Sequence, residues 1–416
     1  MRKTAFFLLV VFVFSLPSEQ VWILPLIGTP SRFVGALAIG AGLLALFVQG
    51  QARKPGAQLW FTTLFVVCNL LSLVWTMDVD VTVERATTYL QLLPIVWLVW
   101  EFGRGRDEHD VLLAAFCVGA LLALYSQFMN FAAGIQWMGA GPTEARYSAT
   151  NTDPNELGVT LAVCIPMVWY FFVTRRGSFR VVGLALIPLA LIGILMTSSR
   201  GASLGALTAM TVVAVVGRGS AMQRSVSFVA VVLLAAIAAI AVVPSAAWTR
   251  IFTVGTELQS GTFSGRTLIW DAGVDAFLQH PLLGVGSGAF GVAVESMVGS
   301  RASHNVPLAI LVEQGLVGFA IFAAMIGIAA WQIVRLPTHV RGVWTVIGLT
   351  WLIGAMSLSL QHTKVTWLLL ALIAARSAGE EERHIVQARA TDRARYGVRH
   401  AAAAGTGGFV VRQPGL

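Results

Sequence analysis

The sequence predicts an all-α polytopic membrane protein of about twelve transmembrane helices. Three observations lead there. Hydrophobic residues make up 56% of the 416 positions and charged residues only 12%, roughly half the charge of a soluble domain, at about 25%. That leaves too little polar surface to cover a water-soluble globule, so lipid is the solvent for most of the chain. Apolar runs close to the ~20 residues that cross a bilayer recur along the sequence. The basic residues concentrate on one of the two sides that this series of spans defines.

The expected spans are 4–27, 33–49, 59–76, 87–102, 111–131, 156–174, 180–197, 202–217, 225–244, 306–334, 341–360 and 363–377. The first opens with Met1-Arg2-Lys3 and an apolar run, as a secretory signal does. No small-x-small cleavage site follows, so it reads as an uncleaved first helix. With the N-terminus in the cytoplasm, the outer side holds only Arg32, Arg85, Arg146, Arg200, Arg250, Arg266, Arg301 and Lys364 of the 28 Lys and Arg. The other twenty fall in inner segments and the C-terminal tail, and shifting the topology by one span inverts that asymmetry. Both termini are therefore expected in the cytoplasm. The membrane domain is expected over 1–377 and a cytoplasmic tail over 378–416, a helix stub followed by disorder. The net charge of +8 has its source in this topology. No nucleic-acid motif accompanies it, and no nucleic-acid partner is expected.

Two outer segments are long, 132–155 and 245–305. In the second, Ser264 to His280 reads as a helix, with Ser264 as N-cap and Ile269, Trp270, Val274 and Phe277 as its apolar stripe. Gly284-Val285-Gly286-Ser287-Gly288 then breaks it. Cys68, Cys117 and Cys164 all sit inside apolar runs and read as small buried hydrophobes, since no metal-ligand spacing accompanies them.

The outer arginines are the strongest chemical signal, because the positive-inside rule does not account for them. Arg200 lies in Thr197-Ser198-Ser199-Arg200-Gly201, a tight turn between two spans. Arg266 begins the loop helix, and Arg146 precedes Asp153-Pro154-Asn155. A guanidinium fork matches phosphate oxygens in pairs, although a lone arginine of this kind more often snorkels to lipid phosphate or pairs with an acid. His304, in Ser303-His304-Asn305-Val306-Pro307, lies where the long loop re-enters the membrane, and imidazole is the usual general base near neutral pH. Gly315 and Gly318 share a helix face, which permits close helix approach or a kink. Asp78-Val79-Asp80 is the one candidate for a divalent metal, but a lone DxD is common, and neither metal nor cofactor is expected. Mid-span charge is sparse, which argues against a proton-coupled transporter.

His304-Asn305 followed by Gly315-x-x-Gly318 resembles the signature of bacterial O-antigen ligases. Ser199-Arg200-Gly201, Gly265-Arg266, Trp270 and His280-Pro281-Leu282-Leu283-Gly284-Val285-Gly286 resemble the other blocks of the O-antigen ligase/polymerase superfamily, over roughly 60–380. The resemblance implies a glycosyltransferase of the C-type membrane fold in the bacterial inner (plasma) membrane. It would move a glycan from an undecaprenyl-diphosphate-linked donor to an acceptor hydroxyl, on the lipid A core or another surface glycan, at the periplasmic face. Membrane lipids would surround it, and the reaction would be inverting and metal-independent. By the same resemblance Arg200 and Arg266 hold the diphosphate, with weaker roles for Arg146 and Arg85, while His304 acts at the acceptor hydroxyl and Asn305, Gly315 and Gly318 shape the motif. A polymerase joining lipid-linked repeats is the alternative within the class, and a lipid-linked glycan flippase the alternative outside it.

Overall fold

A computed structural model describes residues 1–24, 28–138, 145–174, 178–216, 221–252 and 265–405. Ser264, Arg175, Arg176, Arg218, Arg412 and the rest of the tail beyond 405 lie outside the described residues. The regular secondary structure of the described residues is helix, without a strand, apart from one antiparallel bridge between Leu24 and Gly28.

The helices are α1 (Arg2–Ser15), α2 (Pro30–Gln49), α3 (Ala57–Leu71), α4 (Val79–Phe102), α5 (Arg106–Ala132), α6 (Pro154–Thr174), α7 (Ser178–Met196), α8 (Arg200–Val215), α9 (Ala221–Val242), α10 (Ser245–Phe252), α11 (Arg266–Gln279), α12 (Phe290–Val298), α13 (Val306–Arg335), α14 (Thr338–Ala355) and α15 (Lys364–Gly405). Short 3-10 turns follow α1 (Leu16–Ser18), α3 (Ser72–Val74) and α14 (Leu360–His362). Each of the twelve expected segments falls on a helix. Five described helices are long and apolar enough to cross a membrane: Pro30–Gln49, Ala57–Val74, Arg106–Ala132, Pro154–Thr174 and Val306–Arg335. The chain is thus a helical integral membrane protein. The first helix ends well short of residue 27. Pro17 removes a backbone donor and the chain tightens into a 3-10 turn. At the other end, α15 continues past the expected span as helix to Gly405.

One apolar core runs through α1–α8 and α13–α15. In it α6 packs on α7 and α8, α8 on α14, α13 on α3, and α15 on α4. The three cysteines are buried and unpaired. Loop residues segregate to two ends of this bundle. At one end the tail is tied to the loops before α3 and α5: Arg53 bonds Glu382 at 2.8 Å, and Arg106 forks onto Glu380 at 3.0 and 2.9 Å. Lys364, Glu19 and Ser31 bond one another at the opposite end. The topology expected from the sequence assigns the first group to the inner side and the second to the outer side.

Among its described residues the long segment 245–305 carries three helices rather than one. Gly265, in the left-handed region at φ 78°, holds the N-cap position of α11 in place of the expected Ser264. The buried face of α11 is also rotated from the expected stripe. Ala272, Gly273 and Ala276 are buried, with Ile269 and Phe277 at the edges, while Val274 is exposed. Small residues win that face because Phe290 and Leu308 approach it closely; a Cβ on Gly273 would meet both at 3.1 Å.

Candidate active site

The site is organised by a break in α13. The sequence reads as one span over 306–334, in which Gly315 and Gly318 permit close approach or a kink, and Gly315 has φ 60° and ψ −163°, a conformation essentially restricted to glycine. The backbone groups freed at the break pair with the loop segment 281–286. Leu316 N–H donates to Pro281 O at 2.8 Å and Val317 N–H to Leu282 O at 3.2 Å. In return, Val285 N–H donates to Val312 O and Gly286 N–H to Glu313 O, both at 2.9 Å. The same strip reaches the turn before α4, where Met77 N–H donates to Val285 O at 2.9 Å. Ser287 closes the arrangement, its hydroxyl on Asn69 Oδ1 at 2.6 Å and its carbonyl accepting from Thr82 Oγ1 at 2.9 Å. The loop is thereby stitched to α13 by backbone bonds that leave no room for a side chain at Gly315, and to α3 and α4 through side-chain bonds. A Cβ on Gly315 would lie 2.3 Å from the Leu282 carbonyl. Gly318, one turn on, leaves space for the Gln314 side chain.

Gly315→Ala is therefore expected to destabilise strongly. The backbone conformation alone costs about 1–3 kcal/mol for a non-glycine residue, and the clash with Leu282 adds to it. A midpoint of thermal unfolding in detergent that stays at the wild-type value would contradict this account of the break.

His304 sits in the turn just before α13, itself left-handed at φ 47°, where histidine is among the few enriched side chains. Several bonds fix this turn. Trp270 Nε1 donates to Ser303 O at 2.9 Å, Ser303 Oγ bonds Ser359 Oγ at 3.0 Å, and Asn305 caps α13 by accepting from Leu308 N–H at 3.0 Å. Trp270 and Asn305 thus set where His304 points. The imidazole lines a cavity of about 250 Å³ together with Arg85, Asp153, Glu156, Glu313 and His362. Burial and then the charge of Arg266 push its pKa below the ordinary value, against Asp153, which raises it. The neutral form, able to accept a proton, dominates at pH 7. Burial, with the charge of Arg85 behind it, likewise pushes His362 down, to about 3.

The four arginines differ. Arg85 lines the cavity, and its aliphatic stem is packed where Gly288 has no side chain. Arg266 is the first residue of α11, close enough to act on His304 electrostatically. Arg200 is the first residue of α8, after the Ser199 cap. The next residue, Gly201, abuts Ser357, beside the cavity-lining Leu358 and Ser359. Both arginines stand at helix N-termini, where the backbone itself favours anions. Arg146 is buried and serves as a strut: Nε donates to Thr197 O at 3.1 Å and Nη2 to Asn155 Oδ1 at 3.0 Å. It does not line the cavity. Asp78, first of the DxD, is the N-cap of α4 and accepts from Val81 N–H at 3.0 Å.

Sequence reasoning missed Glu313, His362, Asp153 and Glu156. Glu313 carried a usable signal, since an ionisable residue inside an apolar span is a functional candidate by default. Its carboxyl faces Arg85 and the backbone amides of Gly288 and Phe290. His362, in a short turn between spans, carried none.

Residues 184–323 match the family model described as O-antigen ligase. The matched segment includes Arg200, Arg266, His304, Gly315 and Gly318; Arg85 and Arg146 lie outside it. No curated protein matches the chain.

Proposed function

With the O-antigen ligase match over 184–323 as premise, we propose that this protein transfers a glycan from an undecaprenyl-diphosphate-linked donor to an acceptor hydroxyl at the periplasmic face of the bacterial inner membrane. The observation that carries the reading is the convergence of His304 with Arg85 on one polar cavity, within the field of Arg266. Cationic forks there suit a leaving diphosphate, and a neutral imidazole suits a hydroxyl that must lose its proton. The acceptor oxygen attacks the anomeric carbon from the side opposite the diphosphate. The carbon–oxygen bond to phosphate breaks, the hydroxyl proton passes to His304, and the configuration inverts. Arginines in place of a metal stabilise the charge that grows on the diphosphate.

The decisive experiment incubates purified protein with undecaprenyl-diphosphate glycan and candidate acceptors. Release of undecaprenyl diphosphate with a new glycosidic product is expected. Movement of intact donor across vesicles without release would replace the reading with a flippase, and elongation of a lipid-linked repeat would make the protein a polymerase.

Topology is tested separately. The reading has twelve spans with both termini in the cytoplasm. Ser300→Cys, in an exposed position of the long loop, should label with an impermeant maleimide from outside. Val386→Cys, exposed on α15, should label only after permeabilisation. The reverse pattern would put the cavity on the wrong side for a periplasmic donor.

A further inference from the structure

A second cavity, of about 310 Å³, adjoins the first, and Glu156 and His362 line both. Its chemistry is different. Instead of Arg85 and His304 it presents the hydroxyls of Thr88 and Thr160 and the amide of Gln91, set against apolar surface from Leu92 and Trp351. The charges that reach it from Glu19 and Lys364 are paired with each other, and Arg32, which also lines it, is exposed. An apolar wall with a few placed hydrogen-bonding groups, at the small end of the ~300–1,000 Å³ typical of ligand pockets, suits an uncharged polyol better than a diphosphate. The shared wall adds an independent sign of a ligand. His362 Nδ1 is buried with no hydrogen-bond partner among the described residues, and such a group is normally satisfied by something.

We infer that this cavity is a saccharide subsite, where Thr88 and Gln91 on α4 hold a sugar ring whose reacting end reaches the His304 cavity past His362 and Glu156. The inference rests on the glycan-transfer reading. The ring belongs either to the donor glycan or to the acceptor, which share this chemistry. Division of the cleft follows from the residues: the arginine side takes the diphosphate and the hydroxyl–amide side takes sugar.

The test is saturation-transfer difference NMR on the full chain in detergent, with two probes used separately: the oligosaccharide released from the donor lipid by mild acid, and the core oligosaccharide released from lipid A. One of them is expected to bind, and which one names the source. Gln91→Leu, which removes a hydrogen-bonding amide but keeps its bulk, should weaken that binding about 2–10-fold. Thr88→Trp, which fills the cavity, should abolish it without lowering the midpoint of thermal unfolding. If Thr88→Trp fails to fold, Gln91→Leu decides, and an unchanged Kd overturns the subsite. Absence of binding by both oligosaccharides to wild-type protein that releases undecaprenyl diphosphate also overturns it, as does binding that survives Thr88→Trp in folded protein. Should the wild type release no undecaprenyl diphosphate yet bind an oligosaccharide that Thr88→Trp excludes, the transfer reading fails and the saccharide subsite stands.

Discussion

Replacing Arg266 by alanine is expected to slow glycan transfer about 10²–10³-fold, the loss typical of removing one preorganised donor from a developing oxyanion. The residue is the first of α11, so its guanidinium and the helix N-terminus favour negative charge at the same place. Arg200, first residue of α8, is expected to behave alike. Lysine should rescue either position poorly, because an ammonium is a point charge and does not fork onto two oxygens. The measurement is the initial rate of undecaprenyl diphosphate release at saturating donor, with folding checked by thermal midpoint. Activity of Arg266→Lys at the wild-type level would show that charge alone suffices, and would remove the bidentate contact from the mechanism. Arg146→Ala should fail differently. Its guanidinium braces Thr197 O and Asn155 Oδ1, so its loss should lower stability before it lowers turnover of the folded fraction.

That contrast marks how far the sequence reached. Apolar run lengths placed helices at every expected span, because bilayer thickness imposes a length that composition reports directly. His304, Arg266 and Gly315 stood out as candidates because each departs from what its segment needs: a histidine off any apolar face, an arginine on the side that the expected topology leaves poor in bases, a glycine within a helix. Periodicity gave no sign that α13 breaks at Gly315, since a 3.6-residue pattern describes side chains and the break is a matter of backbone bonds to 281–286. Nor did it bring Arg85, Asp153, Glu313 and His362 to one cavity. Those residues lie on four distant segments, and packing between helices far apart in sequence, α6 on α14, α13 on α14 and α15 on α4 and α13, unites them. The helix stripe on α11 misled for a related reason. Large apolar residues near lipid need not face protein, and the close contact went to Ala272, Gly273 and Ala276.

His304→Ala is expected to cost about 10²–10⁴ in turnover, the range for loss of a general base, while donor affinity changes little. In the proposed mechanism donor binding rests on the arginines, whereas the imidazole acts on the acceptor's proton. The pH dependence separates a base from a residue that merely shapes the turn. Burial and Arg266 hold the His304 pKa below its ordinary value of 6.5. A base works in its neutral form, so activity should persist through pH 6.5 and be lost only as pH falls through the lower folded-state value. Removing the Arg266 charge takes away the second cause of the depression. The acid limb of the residual activity in Arg266→Ala should then move to higher pH, and in Arg266→Lys, which keeps the charge, it should move much less. A structural His304 would leave the acid limb where it was in both variants. His304→Gln provides the complementary check, since glutamine can hydrogen-bond in the turn but cannot accept the proton. Turnover near wild type in His304→Gln would end the base assignment, and donor affinity that collapsed along with turnover would move His304 into the diphosphate site.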